Sequence, residues 1–221
     1  MAGSEYAALI AMSTVRHPYF ARYYARLSLR MEPEIGRYRR RLLAGLRGRV
    51  IEIGAGNGLN FGHYPPAVDQ VYAVEPEPRL RALAVARADE VDAEVEVVDG
   101  VADELPADDA SFDAAVLSLV LCSVPDQATA LAEVRRVLRP DGELRFFEHV
   151  RADTAGLRRV QRALDATIYP RLAGGCHLNR DTAAAIEEAG FAVESIEPLR
   201  VPDTRISLPA TPHILGIARP S

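Results

Sequence analysis

Three glycines within five residues, Gly54, Gly56 and Gly58, close the apolar run Val50-Ile51-Glu52-Ile53 in the segment VIEIGAGNGLN. Glycines packed so closely behind a strand-like run take backbone angles closed to other residues and bring the main chain close to a ligand. A second strand-like run ends at Glu75, an acid placed where the ribose of a nucleotide cofactor needs a hydrogen-bond acceptor. A dinucleotide fingerprint would put its third glycine where this chain has Leu59, with Gly58 one residue early. The loop therefore suits a cofactor with an adenosine and an amino-acid end and no phosphates better than one whose pyrophosphate rests on a helix N-terminus. An ordinary strand-to-helix turn is the plain alternative, but it does not require three glycines in five positions.

Further along, Glu148-His149 ends the strand-like run ELRFFEHV. A histidine at the end of a strand is a candidate general base, or a ring hydrogen-bonded to a loop. Cys176 and His177 follow Gly174-Gly175 and read either as pocket contacts or as a buried loop anchor. Cys122 reads as a small core residue, His213 as structural, and His63 before Tyr64-Pro65-Pro66 as a helix ending or lid contact. Tyr19, Tyr23 and Tyr24 form an aromatic cover or pack a helix face. Asn57 and Asn60 stand at the mouth of the glycine loop, with helix capping the alternative for Asn60. Two cysteines are too few for a four-cysteine zinc site, an iron–sulfur cluster or a disulfide scaffold, so no metal is expected and a reducing, cytoplasmic setting is. All 26 basic residues are arginine, which excludes Schiff-base chemistry and P-loop phosphate binding.

The elements that must position these residues alternate. RVIEI, QVYAVE, VEVVDG, FDAAVLSLVL and ELRFFEHV read as strands, with PEPRLRALAVARA and QATALAEVRRVL as helices between them. This order predicts a doubly wound, Rossmann-like sheet with helices on both faces and ligands beyond the carboxyl ends of the strands. The C-terminal part differs. DTAAAIEEAGF is a helix closed by Gly190, and AVESIEPL and HILGIA follow as two strands without a helix between them. That predicts seven strands, mostly parallel with an antiparallel last strand, the two C-terminal strands forming an antiparallel pair at the sheet edge. The segment from Thr154 to Leu172 places Leu157, Val160, Leu164 and Ile168 on one stripe and reads as an amphipathic lid.

A chain of 221 residues is long enough for one well-buried domain and short for two. A single domain over 1–221 is expected, with a helical cover over 1–45 and a lid insertion over 150–180. Net charge of -5 argues against nucleic acid as a partner. Ten arginines, Arg16, Arg22, Arg26, Arg30, Arg37, Arg39, Arg40, Arg41, Arg47 and Arg49, nevertheless crowd the N-terminal quarter. They read as a solvated helix face, or as a surface for an acidic ligand or membrane. No apolar stretch is long enough to span a bilayer, so peripheral membrane contact is the most that is expected. A monomer or a homodimer is expected.

With these residues in place the chain resembles the class I S-adenosylmethionine-dependent methyltransferases over roughly Tyr38 to Ala218. More narrowly, LVLCSV, FFEHV, GGCHLNRDT and PHILGIA are similar to the methyltransferase-like 7 group, the alkyl thiol methyltransferases. The chain differs from that group in having no long hydrophobic N-terminal anchor, no tryptophan, and Gly174 in place of an aspartate. The resemblance implies S-adenosylmethionine as cofactor, S-adenosylhomocysteine as product and a small, rather apolar acceptor, with thiol sulfur ahead of oxygen or nitrogen. It further implies that Glu52, Gly54, Ala55, Gly56 and Gly58 line the methionine end, that Glu75 takes the ribose hydroxyls, and that Gly100, Val101 and Ala102 flank the adenine. Leu119 and Val120 would close the floor near the methyl group. Two readings from other classes remain open at this level: a nicotinamide-dependent oxidoreductase, and a cofactor-binding protein without turnover.

Overall fold

The computed structural model describes residues 18–203 and 207–221; Arg16 and the first part of the expected N-terminal cover lie outside them. Seven strands form one sheet in the order β3-β2-β1-β4-β5-β7-β6. They are β1 (Gly48–Ile53), β2 (Val68–Val74), β3 (Val95–Val98), β4 (Phe112–Ser118), β5 (Leu138–His149), β6 (Phe191–Arg200) and β7 (Pro212–Pro220). The pairs β1·β2, β1·β4, β2·β3 and β4·β5 are parallel, and β7 runs antiparallel to both β5 and β6. The expected architecture holds. The strand order reverses between β1 and β4, and at such a switch point two neighbouring loops leave in opposite directions and open a crevice.

Alternation along each strand fills both faces. Ile51, Ile53, Ala115, Leu117, Leu144 and Phe146 belong to one buried cluster, which Leu131, Val134 and Ile186 also join. These three come from α3 (Gln127–Val137) and α6 (Thr182–Glu188). Val50, Val71, Ala73, Ala114, Val116 and Phe147 face the other way and meet Leu42, Leu43 and Leu46. The long helix α1 (Pro18–Leu43) and α2 (Pro78–Ala88) lie on that side. Each fully buried leucine there contributes roughly 1.5–3 kcal/mol by leaving water, which fastens the C-terminal half of α1 to the sheet and lets its N-terminal half reach the crevice.

Three expectations are corrected. No α-helix follows the glycine loop: Phe61–His63 make one 3-10 turn, and Asn60 before it forms no side-chain cap. Pro65 and Pro66, two residues beyond that turn, have no N–H with which to continue a helix. The amphipathic segment is also not one helix. It divides into α4 (Ala155–Asp165) and α5 (Tyr169–Leu172), and the expected apolar stripe is not its buried face, for Val160 is 47% and Ile168 57% exposed. Gln161 turns inward instead. Its side chain accepts from the Ala152 N–H at 2.8 Å and donates to the Val150 and Pro209 carbonyls at 3.3 and 2.9 Å, and satisfying three buried backbone groups outweighs burying one more aliphatic side chain. Finally, the arginine-rich face is not wholly solvated. Arg22, Arg26, Arg30, Arg37, Arg40, Arg41 and Arg47 are exposed, but Arg39 is buried.

Candidate functional site

Gly54, Gly56 and Gly58 have φ of +68, +59 and +74°, the left-handed region that costs other residues about 1–2 kcal/mol. The need for glycine differs along the loop. A Cβ on Gly54 would lie 2.7 Å from Val120 Cγ2, whereas one on Gly56 would meet nothing nearer than the Tyr24 ring at 3.5 Å. Gly54 is therefore required by packing as well as by its backbone angle, and Gly56 by its angle alone, its buried position lying under the Tyr24 ring. The loop is held against the end of β2: the Gly54 and Ala55 N–H groups donate to the Val74 carbonyl at 2.8 and 3.1 Å.

Glu75 lies where the sequence places it, at the end of β2 beside the glycines. Its two oxygens accept from the Gly56 N–H at 2.7 Å and the Glu77 N–H at 2.9 Å. Burial raises its pKa to about 7. Each carboxylate oxygen has a second lone pair, so these bonds orient the group without exhausting it.

Glu52 and the two asparagines behave differently. Glu52 is buried and accepts from Asn60 Nδ2 and the Tyr64 hydroxyl, both at 2.8 Å. Burial raises its pKa to about 7 against the pull of those bonds and of Arg39. Arg39 in turn donates to Asn60 Oδ1 at 2.8 Å and to Glu32 Oε2 at 3.1 Å. Asn57 bonds Ser28 of α1 at 3.2 Å. The two asparagines thus sit beneath the loop, 4% and 1% exposed, and tie it to α1 instead of standing at its mouth. Arg39 and Tyr64 complete that network, and the arginine was hidden in the sequence among charged neighbours.

On the β3 side, a Cβ at Gly100 would come 2.7 Å from Pro106 and 2.9 Å from Val74. Val101 bridges to Glu104, and Ala102 is 9% exposed. This turn forms one wall of the crevice.

The opposite wall begins at Leu119, whose φ of +63° is uncommon for a residue with a side chain. Its N–H donates to the Phe147 carbonyl at 2.8 Å. Val120, Leu121 and Cys122 then aim their N–H groups at Glu148, at 2.9, 3.0 and 3.3 Å. Glu148, fully buried with its pKa raised to about 7 by that burial, is the anchor of the loop after β4. Its only mark in the sequence is an acid beside a histidine at a strand end.

Cys122, His149 and Cys176 converge here, their ligand atoms all within 4.8 Å of one another. His149 Nδ1 lies 3.5 Å from the Cys176 sulfur, and the ring is 4.2 Å from that of His213. Burial, followed by the neighbouring His213, lowers the pKa of His149 to about 3, so the ring is neutral at physiological pH and a weak base. His177 joins through its backbone, its N–H donating to the Cys122 carbonyl at 2.8 Å.

The N-terminal half of α1 lies across both walls. The Tyr24 ring packs over Gly56, and burial raises the pKa of its phenol. Phe20 stacks on Tyr24 with centroids 5.6 Å apart and also fills the space at Gly174, whose φ is +62° and whose Cβ would stand 2.3 Å from the ring. Glycine at that position therefore has a steric cause in this chain. Tyr19 and Tyr23 are 89% and 59% exposed. Tyr169, from α5, is near enough to Cys176, Cys122 and Tyr23 for their charges to act on its phenol.

Residues 51–146 match the family model described as a methyltransferase domain. The thiol S-methyltransferase TMT1B of Homo sapiens is 35% identical over 80% of this chain and 73% of its own length. The mouse protein of the same name is 36% identical over 90% of this chain and 85% of its own length. Among solved structures, a methyltransferase from Thermotoga maritima described as a possible histamine N-methyltransferase superposes with a TM-score of 0.66 at 20% identity, covering 92% of this chain and 99% of its own. A geranyl diphosphate methyltransferase in complex with SAM also gives 0.66, at 14% identity, covering 92% of this chain and 90% of its own. These two likenesses concern the fold.

Proposed function

The chain belongs to the S-adenosylmethionine-dependent methyltransferases, alongside the thiol S-methyltransferases, and we propose that its acceptor is the sulfur of a small, rather apolar thiol. Bound in the crevice, S-adenosylmethionine supplies a methyl group on a sulfonium, a reactive carbon with a good leaving group. The chain's own residues then have two tasks, to align the acceptor and to exclude water. In this reading the backbone of the glycine loop and the carboxylate of Glu75 hold the amino-acid and ribose parts. Gly100, Val101 and Ala102 face the adenine, and Leu119 and Val120 underlie the reacting carbon. Helix α1 and residues 150–180 act as cover and lid, with Tyr23, Tyr169 and Cys176 lining the acceptor side.

One observation carries the thiol. The histidine at the acceptor wall has its pKa lowered to about 3 by burial, far below the value near operating pH that an efficient general base needs. An acceptor that is nucleophilic by itself needs least help there, and sulfur attacks a methyl sulfonium far more readily than an oxygen of similar acidity. The names of the curated relatives agree with this choice. A turnover screen with paired alkanethiols, phenols and amines, read by the mass of the methylated product, tests it. We expect the thiols to lead by at least about tenfold in kcat/KM, and phenols turning over faster would overturn the reading. Two buried free cysteines also favour a reducing compartment, which supports the cytoplasm as the place of action. Among the described residues no helix is long and apolar enough to cross a membrane.

A further inference from the structure

Cysteine is among the residues most often buried simply as a small hydrophobe, but the cluster at the ends of β4 and β5 is more specific than packing requires. Cys122 comes from the loop after β4, His149 is the last residue of β5, and Cys176 arrives from the loop after α5. One donor atom from each lies within 4.8 Å of the other two, and His149 Nδ1 is 3.5 Å from Cys176 Sγ. Zinc bound tetrahedrally at about 2.3 Å to sulfur and about 2.0–2.1 Å to nitrogen holds its ligand atoms about 3.5–3.8 Å apart. The cluster needs to contract by about 1 Å at most to reach that spacing. We propose that Cys122, His149 and Cys176 form a zinc site with two sulfur ligands and one nitrogen, whose fourth position takes the sulfur of the acceptor.

The surroundings support such a site. Two thiolates and a dication sum to zero charge, so a loaded cluster carries no net charge into a region where Cys122 is 1% and Cys176 6% exposed. In the absence of metal the neighbouring Cys176 and burial hold the Cys122 thiol well above its ordinary pKa, whereas a coordinated thiol is deprotonated outright. The His149 ring lies against that of His213, with centroids 4.2 Å apart, and presents Nδ1 to the Cys176 sulfur. Glu148 fixes Cys122 from behind by accepting its N–H at 3.3 Å. His213 takes no part in ligation by Nδ1, which faces the Thr211 carbonyl at 2.9 Å. Having only two cysteines excludes a four-cysteine structural centre but leaves this three-ligand arrangement, the kind that keeps a position open for substrate.

The location joins the cluster to the crevice. Val120, two residues before Cys122, stands in the space a Cβ on Gly54 would occupy. The acceptor half of the proposal rests on the thiol reading above. The acceptor's S–H proton passes to solvent as its sulfur binds the zinc. A sulfur lone pair then forms the new S–CH3 bond, and the electron pair of the breaking C–S bond returns to the donor sulfur. The products are a neutral thioether, S-adenosylhomocysteine and the released proton; the thioether, a weaker ligand than a thiolate, leaves the metal.

The test is metal binding measured apart from turnover. Protein purified without chelators should carry one zinc per chain by plasma mass spectrometry. Its cobalt(II) form should show thiolate-to-metal charge transfer with tetrahedral ligand-field bands. Cys122→Ser, Cys176→Ser and His149→Gln should each weaken zinc binding about 100-fold or more in competition with a chromophoric chelator, while calorimetric affinity for S-adenosylmethionine stays within about threefold and reports that the variants fold. A cobalt spectrum of the wild type lacking thiolate bands, or zinc affinity equal in wild type and variants, overturns the site whatever the variants' stability. Cobalt bands that shift with an alkanethiol and not with the matching alcohol support the acceptor position, and bands that no thiol moves overturn it. Thiol methylation that continues at full rate after zinc removal sinks the metal proposal and keeps the thiol reading. Zinc held by these ligands in a protein that methylates no thiol does the reverse.

Discussion

The two walls of the crevice are built on opposite principles. Over β1 and β2 the groups are hard and polar: Glu75 holds the N–H of Gly56 and of Glu77, and Asn60 bonds Glu52. Over β4 and β5 the side chains come from three separate elements and are soft or aromatic, with Cys122, His149 and Cys176 beside Tyr169. Backbone amides and carboxylates suit the polar parts of a cofactor, while sulfur and rings suit an apolar acceptor. Under the proposed function, recognition of donor and acceptor is divided between these two halves.

The sharpest way to break this division is Gly56→Val. At φ +59° a β-branched side chain is strained and presses on the Tyr24 ring that packs over the loop. Calorimetry should show S-adenosylmethionine affinity reduced about 100-fold or more, and unchanged affinity in a folded variant removes the loop from the donor site. Glu75→Ala comes next. Loss of charged hydrogen bonds should cost about 1.5–3 kcal/mol of cofactor binding, and an unaltered dissociation constant would take the carboxylate out of ribose recognition.

The third prediction concerns pH and the anchor of the acceptor wall. Glu148 has its folded pKa raised from 4.5 to about 7 by burial, so between those values the folded protein binds more protons than the unfolded chain. Its contribution to stability is complete below pH ~4.5 and is lost as pH rises through ~7. Melting temperature should therefore fall between pH 5.5 and 8. Glu148→Gln should flatten that slope by roughly 1–3 kcal/mol, and an unchanged slope would show that the carboxyl does not titrate in this window. The smallest effect belongs to Tyr24→Phe, which removes the hydroxyl of the ring that packs over Gly56. A loss of about 1 kcal/mol, seen as a less than about fivefold change in both cofactor affinity and acceptor KM, would show the walls coupled. A change confined to one of them would assign Tyr24 to that wall.

The same contrast explains what could be read in advance. Strand and helix order, the antiparallel last strand, the glycine loop and Glu75 all follow from periodicity and from short local motifs. The missed features need distant partners. Arg39 looks like one more surface arginine until Asn60 and Glu32 accept its protons, and Gln161 breaks the apolar pattern of α4 to satisfy Val150, Ala152 and Pro209. Asn60, a natural helix cap by type, is turned under the loop because no helix follows it.

Alternating apolar residues, glycines at backbone angles other residues resist and an acid at a strand end are local constraints, and the sequence by itself determined from them a doubly wound sheet with a donor cradle at its edge. The acceptor wall is a property of the packed sheet. Parallel pairing of β4 with β5 places Ser118 opposite Phe147 and so brings the loop after β4 beside His149, and the segment after α5 then delivers Cys176. Only the tertiary structure decided that two cysteines and a histidine would meet, because their proximity is set by strand order and loop path and by nothing in their own neighbourhoods.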